Sequence, residues 1–167
     1  HFEALDITHE AYPDKKLLFT EGCSGWGQHG SWATGEAYGH DIIGNLNNWA
    51  VGWVDWNIVL DENGGPNHVG NFCNAPIIAD TRSDTLTYES SYYYIGHFSK
   101  YIRPGARRVG FSRYTDKLEV TAFRNTDGEM VVVVMNRSNE EMEYNLRCEH
   151  GVASFISQPH SIMTLIY

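Results

Sequence analysis

The sequence predicts an α+β chain made of two unlike parts, βα repeats of a parallel sheet or barrel over residues 1–106 and an antiparallel β-sandwich over residues 107–167. Three observations predict it. Helix-like and strand-like segments alternate in the first part, and each strand opens into a Gly-rich loop. The second part changes to short strands separated by turn signals. Pro104-Gly105 stands between the two styles.

Phe2 to Tyr12 has apolar residues at helical spacing and is stopped by Pro13-Asp14. Lys16 to Thr20 is a short apolar run, as in a buried parallel strand. It ends at Glu21-Gly22, and an aromatic, Gly-rich loop follows to Trp32. Ala33 to about Trp49 is helix-like, with Ile42, Ile43, Leu46 and Trp49 on one face. Ala50 to Asn57 is a second apolar strand, opening into a long loop from Asp61 to Asn74. Ser91 to Ile102 is a third helix, stopped at Pro104-Gly105. Strand candidates then run over 108–114, 118–124, 130–136, 142–147 and 161–167. Asn125-Thr126-Asp127-Gly128 is a hairpin turn signal, and Asn136 to Asn139 a second. Val131 to Val134, all β-branched, suits a strand buried on both faces.

Composition narrows the function classes. The formal net charge of −9 disfavours a nucleic-acid partner, since phosphate backbones would be repelled. No apolar run is long enough for a membrane helix, and no leader pattern is visible. Three cysteines without a CxxC make neither a disulfide framework nor a zinc ribbon. Trp26, Trp32, Trp49, Trp53 and Trp56 crowd the first third, as a carbohydrate site or a Trp-rich core would require.

Glu21 is the residue whose placement asks for a reason. In βα barrels reactive groups sit at the C-terminal ends of strands, and Glu21 directly follows the first apolar strand. A glutamate there is ordinarily a surface residue. Two neighbours argue for more. The next strand ends in Trp53-Val54-Asp55-Trp56-Asn57, where alternation puts Trp53, Asp55 and Asn57 on one side. Both following loops are rich in glycine, amides and aromatic rings, among them Trp26, Gln28, Asn67, Asn71 and Phe72. Neutral, amide-rich loops suit a sugar better than a phosphate.

These segments resemble the glucosylceramidase-like glycoside hydrolases of family 30. Leu17 to Cys23 is similar to the segment around their nucleophile, and Val51 to Asn57 to their last barrel strand. Asn63 to Asn67, with Asn71-Phe72 and Ala75 to Ile78, resembles the loop after it. Tyr94 to Gly105 resembles the helix joining barrel to sandwich, and Val131 to Ser138 a sandwich strand and turn. The resemblance runs in order over nearly the whole chain.

The resemblance implies a (β/α)8 TIM barrel beside a β-sandwich, with this chain as the C-terminal portion. It implies hydrolysis of β-glycosides, glycolipids among them, with retention of configuration and without a cofactor or metal. Glu21 is then the nucleophile. Trp56 and Asn71 match residues lining the sugar subsite, with Asp55 and Trp53 close by. The family's acid/base is a second glutamate on an earlier barrel strand, and nothing here matches it; Glu3 and Glu10 lie on the first helix. The chain alone is therefore expected not to turn over substrate. It is expected to associate with the preceding part of the protein or with other copies, because its strands expose edges.

Two other readings compete. A noncatalytic carbohydrate-binding or scaffold module would use the sandwich and the aromatic residues but gives Glu21 no reason to end a strand. A metal-dependent hydrolase would use some of the eight histidines, yet no HExxH occurs and His9, His29, His40 and His68 lack ligand spacing.

Overall fold

A computed structural model describes residues 2–167, which cluster into two compact units, one ending at Gly96 and one running from His97 to Tyr167.

The first unit begins with α1 (Glu3–Ala11), followed by β1 (Leu17–Gly22), α2 (Trp32–Asn47) and β2 (Ala50–Asp55). β1 and β2 pair in parallel, with Leu17 beside Ala50, Phe19 beside Trp53 and Gly22 beside Asp55. This is the strand–helix–strand unit predicted. α2 buries Tyr38, Ile42 and Ile43. It stops two residues before the predicted end, because Trp49 takes a left-handed backbone (φ 73°) that turns the chain into β2. The other face of the sheet is open: Leu18 and Val54 are 53% and 45% exposed.

A second small sheet follows. β3 (Val59–Asp61) pairs in parallel with β4 (Ile77–Asp80), which pairs antiparallel with β5 (Thr85–Tyr88). These strands border the long loop that the sequence predicts. The helix expected over 91–102 is α3 (Ser90–Ser99), whose Tyr94 is fully buried.

The second unit is a pair of antiparallel sheets. β6 (Arg107–Arg108), β7 (Leu118–Arg124), β8 (Met130–Asn136) and β11 (Ser161–Ile166) form one, in the order β11-β8-β7-β6. β9 (Met142–Cys148) and β10 (Gly151–Ser157) form the other. The strand expected over 108–114 shrinks to Arg107–Arg108, and 109–114 is irregular. β10 was not anticipated. As predicted, β8 is buried on both faces. Val132 and Val134 join Leu118, Ala122 and Tyr144 in one core. The β7–β8 turn closes where expected, with Gly128 N–H donating to the Asn125 carbonyl at 3.0 Å and Gly128 at φ 96°. A cleft of about 1110 Å³ lies beside that core, lined by residues of both sheets, among them Val120, Leu146 and Arg147.

Asn136-Arg137-Ser138 has the form of a glycosylation sequon. The Asn136 side chain is fully buried and its Nδ2 donates to the carbonyls of Glu140, Ser157 and Gln158, so the folded strand offers no acceptor amide.

Candidate active site

Because β1 and β2 run in parallel, their C-terminal ends form one edge. Glu21 is the next-to-last residue of β1, with its side chain exposed. Trp56 follows β2, and its backbone N–H donates to the Gly22 carbonyl at 2.7 Å, tying the two strand ends together. The Trp56 ring is 49% exposed.

Trp53 and Asp55 engage α2, as their alternation along the strand requires. The Trp53 indole N–H donates to Asp41 Oδ2 at 2.7 Å. Its ring stacks on Phe19 at 5.6 Å and meets Tyr38 edge-on at 5.5 Å. Asp55 Oδ1 accepts the Tyr38 hydroxyl at 3.1 Å and the Trp56 N–H at 3.0 Å, while Oδ2 is buried with no hydrogen-bond partner. Burial of this carboxyl pushes its pKa up to about 6, against the lowering effect of its two hydrogen bonds. Burial and the adjacent Asp55 charge in turn hold the Tyr38 hydroxyl well above its ordinary range.

Glu21 and Trp53 share a cleft of about 390 Å³ with Cys23, Gln28, Tyr38 and Asp41. Trp56, Asp55 and Asn71 lie outside it. Asn71 sits on the loop after β3, and both it and the neighbouring Phe72 are exposed.

The two loops behind the strand ends are joined. Gly25 pairs with Cys73 in an isolated antiparallel bridge, and the Asn74 N–H donates to the Ser24 carbonyl at 2.9 Å. Trp26 lies against Gly64, where an added Cβ would come within 2.4 Å of its ring. Gly64 also takes φ 79°, so the site requires glycine twice over. Asp61 Oδ1 shapes the second loop by accepting the N–H groups of Asn63 and Gly65 at 2.8 and 2.9 Å.

Sequence reasoning missed Glu89. Its carboxylate is almost wholly buried, accepts the Gly30 N–H at 2.7 Å and lies 3.3 Å from His29 Nδ1, anchoring the loop after Glu21. Glu89 is 59 residues from Gly30, and its setting among serines and tyrosines carried no signal of the contact. Tyr38 and Asp41, the α2 partners of Asp55 and Trp53, were missed too; their spacing of three on one helix face was the available clue. Among the described residues, no group of three or more His, Cys, Asp or Glu side chains is arranged to hold a metal ion.

The chain has known relatives. The glycosyl hydrolase family 30 TIM-barrel domain matches residues 2–102, and the family 30 beta sandwich domain matches residues 105–165. The lysosomal acid glucosylceramidase of Mus musculus is 40% identical over 172 residues, covering 98% of this chain and 33% of the mouse protein. SrfJ from Salmonella typhimurium superposes with a TM-score of 0.95 at 41% identity, covering all of this chain and 38% of SrfJ. The endo-beta1,6-glucanase BT3312 superposes at 0.89 with 30% identity, covering 98% of this chain and 38% of the glucanase. The chain thus spans little more than a third of the length of these proteins. Its two units are the C-terminal part of a TIM barrel and a β-sandwich, and with both domain models matched in order the chain belongs to glycosyl hydrolase family 30.

Proposed function

We propose that this chain is part of a retaining β-glycosidase in which Glu21 is the catalytic nucleophile. The observation that carries the reading is the placement of Glu21: an exposed carboxylate at the C-terminal end of a parallel strand, with the half-exposed Trp56 ring on the adjoining strand end. In barrels of this kind that edge is where the chemistry occurs.

The mechanism uses two carboxyls about 5–5.5 Å apart. Glu21 attacks the anomeric carbon as the carboxylate and forms a glycosyl-enzyme ester while the glycosidic oxygen leaves. A second carboxyl protonates that oxygen, then takes a proton from the water that hydrolyses the ester. Asp55 is poorly suited to this second role, because its Oδ1 is committed to Tyr38 and Trp56 N–H. We assign the acid/base to a residue outside this chain, and the 167-residue piece alone is then inactive.

Trp56 and Asn71 contact the sugar in this reading. The Trp56 ring offers an apolar face for stacking, and the exposed amide of Asn71 offers hydrogen bonds to hydroxyls. Trp53 and Asp55 lie close by, and Asp55 holds the Trp56 backbone N–H at 3.0 Å. The substrate is a β-linked glycoside, with glycolipids as one class. The names of the relatives, a glucosylceramidase and an endo-β-1,6-glucanase, support glucose as the first sugar to test. Residues 1–106 would belong to the barrel and 107–167 to the sandwich.

Glu21→Gln in the full-length enzyme tests the assignment. The amide cannot act as the nucleophile, so kcat should fall by on the order of 10³-fold or more and covalent trapping by an activated fluoro-sugar should vanish. Persistent labelling of the variant would refute the role of Glu21.

A further inference from the structure

Two of the three cysteines meet in space. Cys23 lies two residues beyond Glu21 and is exposed; Cys73 lies two residues beyond Asn71 and is buried. The Gly25–Cys73 bridge and the Asn74–Ser24 hydrogen bond hold their loops together. The Cys73 side chain is close enough to Cys23 to raise its pKa. Each also points at a carbonyl of its own loop, Cys23 Sγ at Ser24 O (3.5 Å) and Cys73 Sγ at Asn71 O (3.8 Å). Across the Gly25–Cys73 bridge Cys23 stands diagonal to Cys73, so rotation of both side chains and a small shift of the tied loops bring the sulfurs to the S–S bond length of about 2.05 Å.

We propose that Cys23 and Cys73 form a reversible disulfide that locks the loop after Glu21 to the loop carrying Asn71 and lowers turnover at the site between them. The effect on turnover rests on the function proposed above; formation of the bond does not.

The oxidant is a small organic disulfide. The exposed Cys23 gives its proton to solvent, and the thiolate attacks one sulfur of the reagent. The reagent's S–S bond breaks, and its other half leaves as a thiolate that takes up a proton. Cys73 then loses its proton and attacks the Cys23 sulfur, expelling the second half of the reagent as a thiol. One disulfide forms in the protein, one is reduced to two thiols, and two electrons pass from the protein to the reagent. Burial, the Cys73 thiol and the charges of Asp55 and Glu21 push the Cys23 pKa up to about 12. Little of Cys23 is thiolate at neutral pH, so the exchange is slow.

The lock acts at close range. Glu21 is two residues from one end of the bond and Asn71 two from the other. A misplacement of about 1 Å in a catalytic group can cost up to 10²-fold in rate.

Full-length protein is incubated with oxidised glutathione, its remaining thiols are blocked, and it is digested without reductant. The expected product is a peptide pair joined through Cys23 and Cys73 and separated by dithiothreitol. Oxidation should slow amide hydrogen exchange across residues 22–32 and lower activity on a fluorogenic β-glucoside roughly threefold or more; reductant should reverse both. Cys23→Ala, at the exposed partner, and Cys73→Val should each abolish the response. Glutathione on Cys23 with Cys73 left free overturns the disulfide. A joined pair with unchanged exchange and activity overturns the lock. Because the bond is read by mass and the lock by exchange, a protein inactive on β-glycosides would count against the glycosidase reading alone.

Discussion

Asp55 carries a carboxyl whose two oxygens have unlike surroundings: Oδ1 accepts two hydrogen bonds, and Oδ2 is buried with none. Desolvation dominates, so the folded protein holds the Asp55 proton up to about pH 6, whereas an unfolded chain releases it near the ordinary 3.8. The sign follows from linkage. The folded state binds the proton more tightly, so ionisation destabilises it as pH rises from about 4 to 6, and the penalty is complete above pH 6. Asp55→Asn keeps an oxygen for Tyr38 and removes the charge. The variant should be more stable than the parent at pH 7, by about 1–2 kcal/mol once solvent screening is allowed for. The advantage should vanish at pH 4. Urea unfolding at the two pH values checks this, and an advantage equal at both would rule out the titration. The place of Glu21 was legible, because a carboxylate ending an apolar strand is visible in one dimension. The partners of Asp55 were not, because Tyr38 lies 17 residues away on α2 and only the turn of that helix brings the hydroxyl to the strand.

At the scale of elements, the β1–β2 pair depends on one residue without a side chain. A Cβ on Gly22 would lie 2.3 Å from Trp53 Cζ2 and 2.5 Å from Cη2. The ring cannot easily retreat, since its N–H is bonded to Asp41 and its face is stacked on Phe19. Gly22→Ala should cost about 1–3 kcal/mol by overpacking. Gly52→Ala on β2 should cost less, because the clash is with a Leu18 methyl at 2.9 Å, the end of a flexible side chain. Thermal midpoints of the two full-length variants measure the contrast; equal losses would mean that the Trp53 cage yields. Elements with clear periodicity, α1, α2 and β7, were readable for the same physical reason that they form: their apolar residues repeat at the spacing of the element, while β8 was readable as an unbroken β-branched run. β3, β4 and β5 span only three or four residues each, too few for a period to emerge, and pairing across the sheet decides them. The stretch 109–114 mixes Gly110, Ser112 and Arg113 with two aromatic residues and forms no strand beyond one Val109 N–H bond to the Ala122 carbonyl of β7, so its β-forming residues misled.

At the scale of the whole molecule, two forces oppose each other in the isolated chain. Leu18 and Val54 expose about half of their surface, forming an apolar face on a sheet of only two strands. In a complete barrel, that kind of face is packed by layers of side chains. A two-stranded sheet also has both edges open to pairing with another chain. Against association stands the net charge of −9. At physiological salt the screening length is about 8 Å, so repulsion between copies is largely damped while burial of apolar area is not. Burial should win. Light scattering on the isolated chain at tens of micromolar should return a mass well above the 18.9 kDa monomer, rising further as salt is added. The added salt distinguishes the causes, since apolar contact strengthens or holds as charge is screened, while ion-paired association weakens. Replacing Leu18 and Val54 together with threonine puts β-branched polar side chains on that face, and should return the chain toward the monomer. A stable monomer for the unaltered chain would mean that the open face is tolerated and that the missing strands are not needed to keep this piece in solution.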